Sequence, residues 1–379
     1  MENKRVYFDY NASTPVDPRV LESMLPYFTE VFGNASSRAH AFGWEAAEAV
    51  AIAREQVANL IGCETNELTF TSGSTESLNL ALQGIARMYQ SKGKHLITFS
   101  TEHKAVLEPL FYLKDLGWEV DVLPVDERGL PNLEHLKKAI RSDTVFVAAM
   151  LANNESGIVW PIAEMAELTR ASGAFFICDA TQACGKIPVD VNELGVDVLA
   201  LSAHKFYGPK GCGALYLRRK NPRVNLSPLF FGGGHENGKR PGTLNVPGIV
   251  GLGKAAELAK ESLEHYAQKT SQLRDLFEKE LMKLEGVHIH GIDIQRLPNT
   301  SAFRIENVPA TRLIQGMPNY AFSTGSACSS ALPEPSHVWT ALGLTEEQAY
   351  ETVRFSFGMF NQEEEIRNGI SILRNIVNG

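Results

Sequence analysis

Between about residues 45 and 220 the chain alternates short apolar runs with amphipathic stretches, and this alternation restricts the fold more than any other feature. Apolar runs at 68–71, 95–99, 119–123, 145–150, 174–178, 196–202 and 214–217 read as strands. Helical spacing occupies 44–60, 75–90, 104–116 and 162–171. Strands that alternate with helices predict an α/β fold built on a mostly parallel sheet covered on both faces. Ligands of such sheets sit beyond the carboxyl ends of the strands. The texture changes near Val250, where Leu252, Ala255, Leu258, Ala259, Leu263, Tyr266, Leu273, Leu276, Phe277, Leu281 and Leu284 recur at helical spacing. Gly286 is the expected stop. Short strands at 287–290 and 302–305 and a terminal helix from about residue 362 predict a second, smaller α+β unit. The Ser-, Ala- and Pro-rich stretch 325–335 reads as a loop.

A length of 379 residues fits two domains at about 150 residues each. The net charge of -8 argues against direct nucleic-acid binding, which needs a concentrated positive surface. The five cysteines are odd in number and none is spaced as CxxC, which disfavours a disulfide scaffold or a zinc ribbon and suits a reducing compartment. No run approaches the roughly 18 apolar residues of a membrane helix, and the start of the chain lacks signal-peptide form. The expectation is a cytoplasmic protein with no membrane contact.

Three segments carry chemistry. Leu68-Thr69-Phe70-Thr71 runs through Ser72-Gly73 into Ser74-Thr75-Glu76, a strand, a glycine turn and a helix start. That layout suits an anion, because free N–H groups and the helix dipole point at it. Plain capping by Ser and Thr would leave the same pattern. A second strand ends in Asp179-Ala180-Thr181-Gln182, and a third in Ser202-Ala203-His204-Lys205. A lysine at a strand end can form a Schiff base, with a nearby Asp holding a pyridinium nitrogen. An Asp–Lys ion pair at a sheet edge would look the same.

Together these segments resemble the class V aminotransferase-like enzymes that use pyridoxal 5'-phosphate (PLP). Further segments narrow the resemblance to the cysteine desulfurases: Tyr10-Asn-Ala-Ser-Thr-Pro15, Thr101-Glu-His103, Asn153-Asn-Glu155-Ser-Gly157, Gly232-Gly-Gly-His-Glu236, Arg240-Pro-Gly-Thr243, Gly325-Ser-Ala-Cys328, Glu334-Pro-Ser-His337 and Arg354-Phe-Ser-Phe-Gly358. The match runs in order over nearly the whole chain.

The resemblance implies a PLP-dependent transferase of fold type I, aspartate aminotransferase-like. Its large PLP-binding domain, with a seven-stranded sheet, would span 14–258. A small α+β domain, formed by 1–13 and 259–379, would carry the Cys328 loop. It further implies Lys205 as the Schiff-base lysine and base, Asp179 on the pyridine nitrogen, Gln182 on the phenolic oxygen and His103 stacked on the ring. Asn154 would support cofactor and substrate. Ser74, Thr75, Ser202 and His204 would hold the phosphate, and Thr243 would reach the phosphate of a neighbouring subunit in a homodimer. Asn34 and Arg354 would clamp the substrate carboxylate, a task that suits a bidentate Arg. Cys328 would be the nucleophile that takes sulfur from L-cysteine as a persulfide, leaving L-alanine, and passes it to a sulfur-acceptor protein. That acceptor would serve iron–sulfur assembly or another thiolation pathway. A selenocysteine lyase, an aminotransferase of the same superfamily, or a PLP-binding scaffold subunit is the alternative.

Some features depart from that pattern. Pro309-Ala-Thr-Arg312, Gly316-Met-Pro318 and Leu332-Pro333 differ from the usual relatives, and the chain ends at Gly379 without their longer tail. His288 and His290 could place two ligands on one strand face, but no third metal ligand is evident. Arg218, Arg219, Lys220 and Arg223 could dock an acidic partner, although an ordinary exposed loop explains them as well.

Overall fold

The computed structural model describes residues 5–324 and 335–378. The chain opens with β1 (Val6–Tyr7), α1 (Pro18–Met24), α2 (Pro26–Thr29) and α3 (Ala41–Ile61). Next come β2 (Leu68–Thr71), α4 (Ser74–Tyr89), β3 (His95–Phe99), α5 (Lys104–Asp115), β4 (Glu119–Leu123), α6 (Leu133–Ala139) and β5 (Thr144–Met150). They are followed by α7 (Ile162–Ala171), β6 (Phe175–Asp179), β7 (Val198–Ser202) and β8 (Gly213–Leu217). The remainder is α8 (Val246–Glu261), α9 (Leu263–Leu281), β9 (Val287–Ile289), β10 (Thr300–Ile305), α10 (Ala310–Gly316), β11 (Tyr320–Ala321), α11 (His337–Ala341), α12 (Glu346–Glu351), β12 (Thr352–Ser356) and α13 (Glu363–Asn378).

The seven expected strands form one sheet in the order β2-β8-β7-β6-β5-β3-β4. β8 pairs antiparallel with both β7 and β2, so it alone runs against the rest. The other pairings are parallel. Every residue of β5, β6 and β7 is buried, as central strands covered on both faces require. One face packs beneath α3, α7 and α8, with Val57, Phe176, Leu199 and Leu252 in its core. The other packs beneath α4 and α5, with Leu82, Leu110 and Ile177.

A separate apolar cluster lies around the antiparallel sheet β12-β10-β9. Phe277 of α9 stacks on Phe355 of β12 with ring centroids 5.0 Å apart, and Phe8 meets Phe357 edge-on at 5.2 Å. The expected helical region after residue 250 is two helices, α8 and α9, which meet at Ser262. β12 was absent from the expected strands. Its Thr-Val-Arg-Phe-Ser sequence centres on an arginine, yet all five residues are buried.

The parallel direction of β2, β5, β6 and β7 brings their carboxyl ends to one edge of the sheet. The segment after β1 runs across that edge. Asn11 N donates to Ser356 Oγ of β12 at 2.9 Å, and Thr14 N donates to the His204 carbonyl at 2.9 Å. The opening of the chain therefore ties the two apolar cores together at the place where the sheet presents its strand ends.

Candidate active site

A cavity of about 350 Å³ lies at that edge. Asn11, Ser74, Thr75, His103, Asn154, Asp179, Gln182, Ser202, His204, Lys205 and Arg354 all line it. Most lie at a strand end, at the start of the helix that follows one, or in a segment pinned across the edge, whereas Arg354 reaches in from the middle of β12. The size falls within the range of small-molecule sites.

The anion end is built by α4. Its N-cap, Gly73, has φ of 147°, a conformation that side chains resist. A Cβ there would lie 3.4 Å from Ser202 Oγ, in the space where the helix N–H groups and that hydroxyl converge. Glu76 holds the turn by accepting from Ser72 N at 2.7 Å and from Arg240 Nε at 2.8 Å. His204 lies beside Ser13 Oγ at 3.2 Å, and burial, then the charges of Lys205 and Lys210, push it down to about 4. It is therefore a neutral imidazole.

At the other end, Lys205 Nζ donates to the carbonyls of Asn11 at 2.7 Å and Ala12 at 2.9 Å. Burial and then Arg354 push this amine down to about 8, against the opposing pull of Asp179 and Asp9. Two residues on, Tyr207 adopts φ of 67°, an uncommon value for a bulky residue. Its N–H donates to Thr14 Oγ1 at 2.8 Å and its hydroxyl accepts from Met359 N at 2.7 Å. The segment that presents Lys205 is thus fixed from two sides.

Asp179 ends β6, and its Oδ1 accepts from the Thr181 amide at 2.9 Å and from the Thr181 hydroxyl. Thr181 Oγ1 lies 2.6 Å from Ser74 Oγ, which links the carboxylate to the α4 end. His103 caps α5: its Nδ1 accepts from Ala105 N at 3.0 Å, which leaves the ring proton on Nε2. Burial lowers its pKa, so this imidazole is neutral too. Behind it Glu102 is wholly buried, accepting from Met150 N at 2.7 Å. Burial, and then Asp179, raise it well above the carboxylate range.

Arg354 closes the cavity from β12. Its two terminal nitrogens donate to the Asn154 carbonyl at 2.7 Å and to Asp9 Oδ1 at 2.5 Å. Its Nε is buried with no partner among the described residues. A buried donor without a partner is costly.

Two sequence candidates lie away from this cavity. Asn34 is exposed, and its Oδ1 accepts from Ser36 N at 2.9 Å within its own turn. Thr243 is exposed beyond the Arg240 loop. Cys328 lies outside the described residues. Its flanks are anchored beside the cavity: Ser323 forms a bridge with Arg354, and Ser336 Oγ donates to Glu155 Oε1 at 2.8 Å. The other four cysteines are poor nucleophiles. Burial pushes Cys63 and Cys212 up to about 12, and Cys178 and Cys184 are raised as well.

The sequence reading missed Asn11, Thr181 and Lys186. Thr181 sat inside a quoted motif and could have been found there. Asn11 sat inside a quoted motif too, and Lys186 joins Gln182, one helical turn away in sequence, to Asn11 far along the chain. Two weaker signals also resolve. Arg218, just beyond β8, is paired within the fold: its guanidinium donates to the Val196 carbonyl at 2.8 Å and pairs with Asp197 at 3.3 Å. His288 pairs with Glu306 at 2.7 Å, whereas His290 stacks on Trp339 at 4.7 Å, so the two do not share a surrounding.

The Aminotransferase class-V family model matches residues 6–368. The chain belongs to the class-V aminotransferase family. It is 50% identical over 369 residues to Cysteine desulfurase IscS of Anaeromyxobacter sp. (strain Fw109-5), covering 97% of this chain and 91% of the relative. A solved NifS-like protein superposes with a TM-score of 0.91 at 38% identity over 99% of both chains. A structure described as SspA in complex with cysteine gives a TM-score of 0.84 at 38% identity, over 94% of this chain and 100% of the other.

The family's cofactor is PLP, and the residues present fit it. They supply an amine of lowered pKa, a carboxylate at a strand end, and a glycine-lined helix start for a phosphate. No helix among the described residues is long and apolar enough to cross a membrane.

Proposed function

We propose that this chain is a PLP-dependent cysteine desulfurase with Cys328 as its working thiol. One observation carries the reading: Lys205, Asp179, His103 and Arg354 converge on one cavity while every described cysteine is held as an unreactive thiol. Bound PLP supplies the electron sink that lets the substrate's α-carbon give up its proton. Asp179 would hold the pyridine nitrogen, and Gln182 and Asn154 would take the ring's polar edge. Ser74, Thr75, Ser202 and His204 would take the phosphate.

Arg354, which lines the cavity, would orient the substrate carboxylate. Lys205 is neutral above about pH 8 and can accept a proton at Nζ. His103, neutral with its proton on Nε2, can hold a group in the cavity by a hydrogen bond from that N–H. The overall change balances. The carbon–sulfur bond of L-cysteine breaks and a sulfur–sulfur bond forms on Cys328. The sulfur is oxidised from sulfide to persulfide while the β-carbon is reduced to the methyl group of L-alanine. Cys328 is four residues beyond Thr324, at most about 14 Å of extended chain.

A homodimer belongs to the same reading. Phe28, Phe32, Phe42 and Trp44 are large apolar side chains left exposed on α2, α3 and the turn between them. Together they make a face that suits a second copy, whose phosphate site Thr243 would reach. A sulfur-acceptor protein, a cytoplasmic setting that keeps Cys328 reduced, and the division into 14–258 against 1–13 with 259–379 complete the proposal. The separate aromatic core around Phe277 supports the division.

The test is direct. Purified protein with PLP and L-cysteine is expected to release alanine and form a persulfide on Cys328. Cys328→Ser should keep the visible absorbance and lose the persulfide, and Lys205→Ala should lose both. Amino-acid-dependent turnover of 2-oxo acids without persulfide would point instead to an aminotransferase.

A further inference from the structure

Lys186 is wholly buried and has no carboxylate partner among the described residues. Its Nζ donates to Asn11 Oδ1 at 2.9 Å and to Gln182 Oε1 at 2.7 Å. The charges that bear on it are those of Lys205 and Arg354, both positive. A buried ammonium in that setting would be costly. A neutral amine carries two hydrogens, and two acceptors are present. Burial, then Lys205 and Arg354, push this lysine well below its usual range, in keeping with that count.

The consequence falls on Gln182. Its Oε1 faces Lys186, and its Nε2 gives one hydrogen to the Asn11 carbonyl at 2.9 Å. The amide is therefore held at both ends, and its second Nε2 hydrogen is left for the cavity that Gln182 lines. The same Asn11 carbonyl receives Lys205 Nζ at 2.7 Å, and Asn11 Oδ1 also accepts from Asn299 Nδ2 at 3.0 Å. Lys186 thus stands one side chain behind both Gln182 and the carbonyl that receives Lys205.

We infer that Lys186 is a neutral positioning residue that aims the Gln182 amide donor at the phenolic oxygen of bound PLP. This rests on the reading of Gln182 as that oxygen's partner. A donor at this oxygen favours its anionic form and lowers the pH at which the bound chromophore loses its proton.

The experiment is a pH titration of the visible absorbance of the holoenzyme and of Lys186→Met, Gln182→Ala and the double variant. Gln182→Ala is expected to raise the apparent pKa of the chromophore by roughly one unit, and Lys186→Met by roughly half a unit, the scale of one hydrogen bond lost or weakened. The double variant should match Gln182→Ala alone, because Lys186 acts through Gln182. Lys186→Met should lower kcat several-fold while leaving KM for L-cysteine nearly unchanged. Where Lys186→Met does not accumulate as holoenzyme, Lys186→Gln takes its place. Its side chain stops one bond short of Gln182, so the same rise is expected. A shift in Gln182→Ala with none in the Lys186 variants, or shifts that simply add, would overturn the inference alone. No shift in Gln182→Ala would overturn the assignment of Gln182 and the inference with it.

Discussion

Among the described residues Lys205 Nζ donates to two main-chain carbonyls and to no carboxylate, while burial and then Arg354 favour the neutral amine. With its pKa pushed down to about 8, half of the amine is unprotonated at that pH in the ligand-free protein. The rate at which apoprotein captures PLP should climb with pH and level off above about 8, followed by stopped-flow absorbance. A rate still climbing steeply between pH 9 and 10, as an ordinary lysine would give, contradicts this. Glu155 offers a second test. Burial raises it to about 7, while Ser336 and Arg354 pull the other way. A carboxyl whose folded pKa lies above its unfolded value loses stability as pH rises between the two, here from about 4.5 to 7. The gap corresponds to roughly 3 kcal/mol. Glu155→Gln keeps the acceptor for Ser336 and escapes that loss. Its melting temperature should therefore gain on the native protein across this window and hold a constant lead above it. A pH-independent difference would refute the assignment. Chemistry-bearing residues such as Lys205 and Asp179 were legible because each closes an apolar strand run. Lys186 was not, because its contact with Gln182, four residues away, gains a role only when the fold brings Asn11 beside both.

At the scale of elements, the turn into α4 depends on one backbone conformation. Gly73→Ala places a Cβ at φ of 147° and 3.4 Å from Ser202 Oγ. The strain should cost about 1–3 kcal/mol, drawn from the site geometry, and weaken PLP binding by about tenfold or more. Titration of the apoprotein by cofactor fluorescence checks this, and an unchanged affinity would show that α4's start is not the phosphate end. Most elements were readable from periodicity because burial on both faces of the sheet imposes it. The direction of β8 was not, since an antiparallel strand within a covered sheet has the same apolar run as its parallel neighbours. β12 escaped notice because its central Arg354 looks unfit for a buried strand. Its charge is answered by Asp9, near the opposite end of the chain.

At the scale of the molecule, the exposed apolar face of α2 and α3 predicts association. Light scattering should give twice the chain mass, and Trp44→Glu should shift the population toward monomer while leaving the far-ultraviolet spectrum intact. A native monomer would remove the homodimer from the proposal. The cavity also has a history. Asn11 is made long before Arg354, yet both form its walls. During synthesis Lys205 and Asp179 leave the ribosome well before β12 exists. The wall that shields Lys205 and receives the substrate carboxylate is then missing. Cofactor capture in this geometry thus waits for β12, and a chain stopped short of it presents an unguarded amine to any aldehyde it meets.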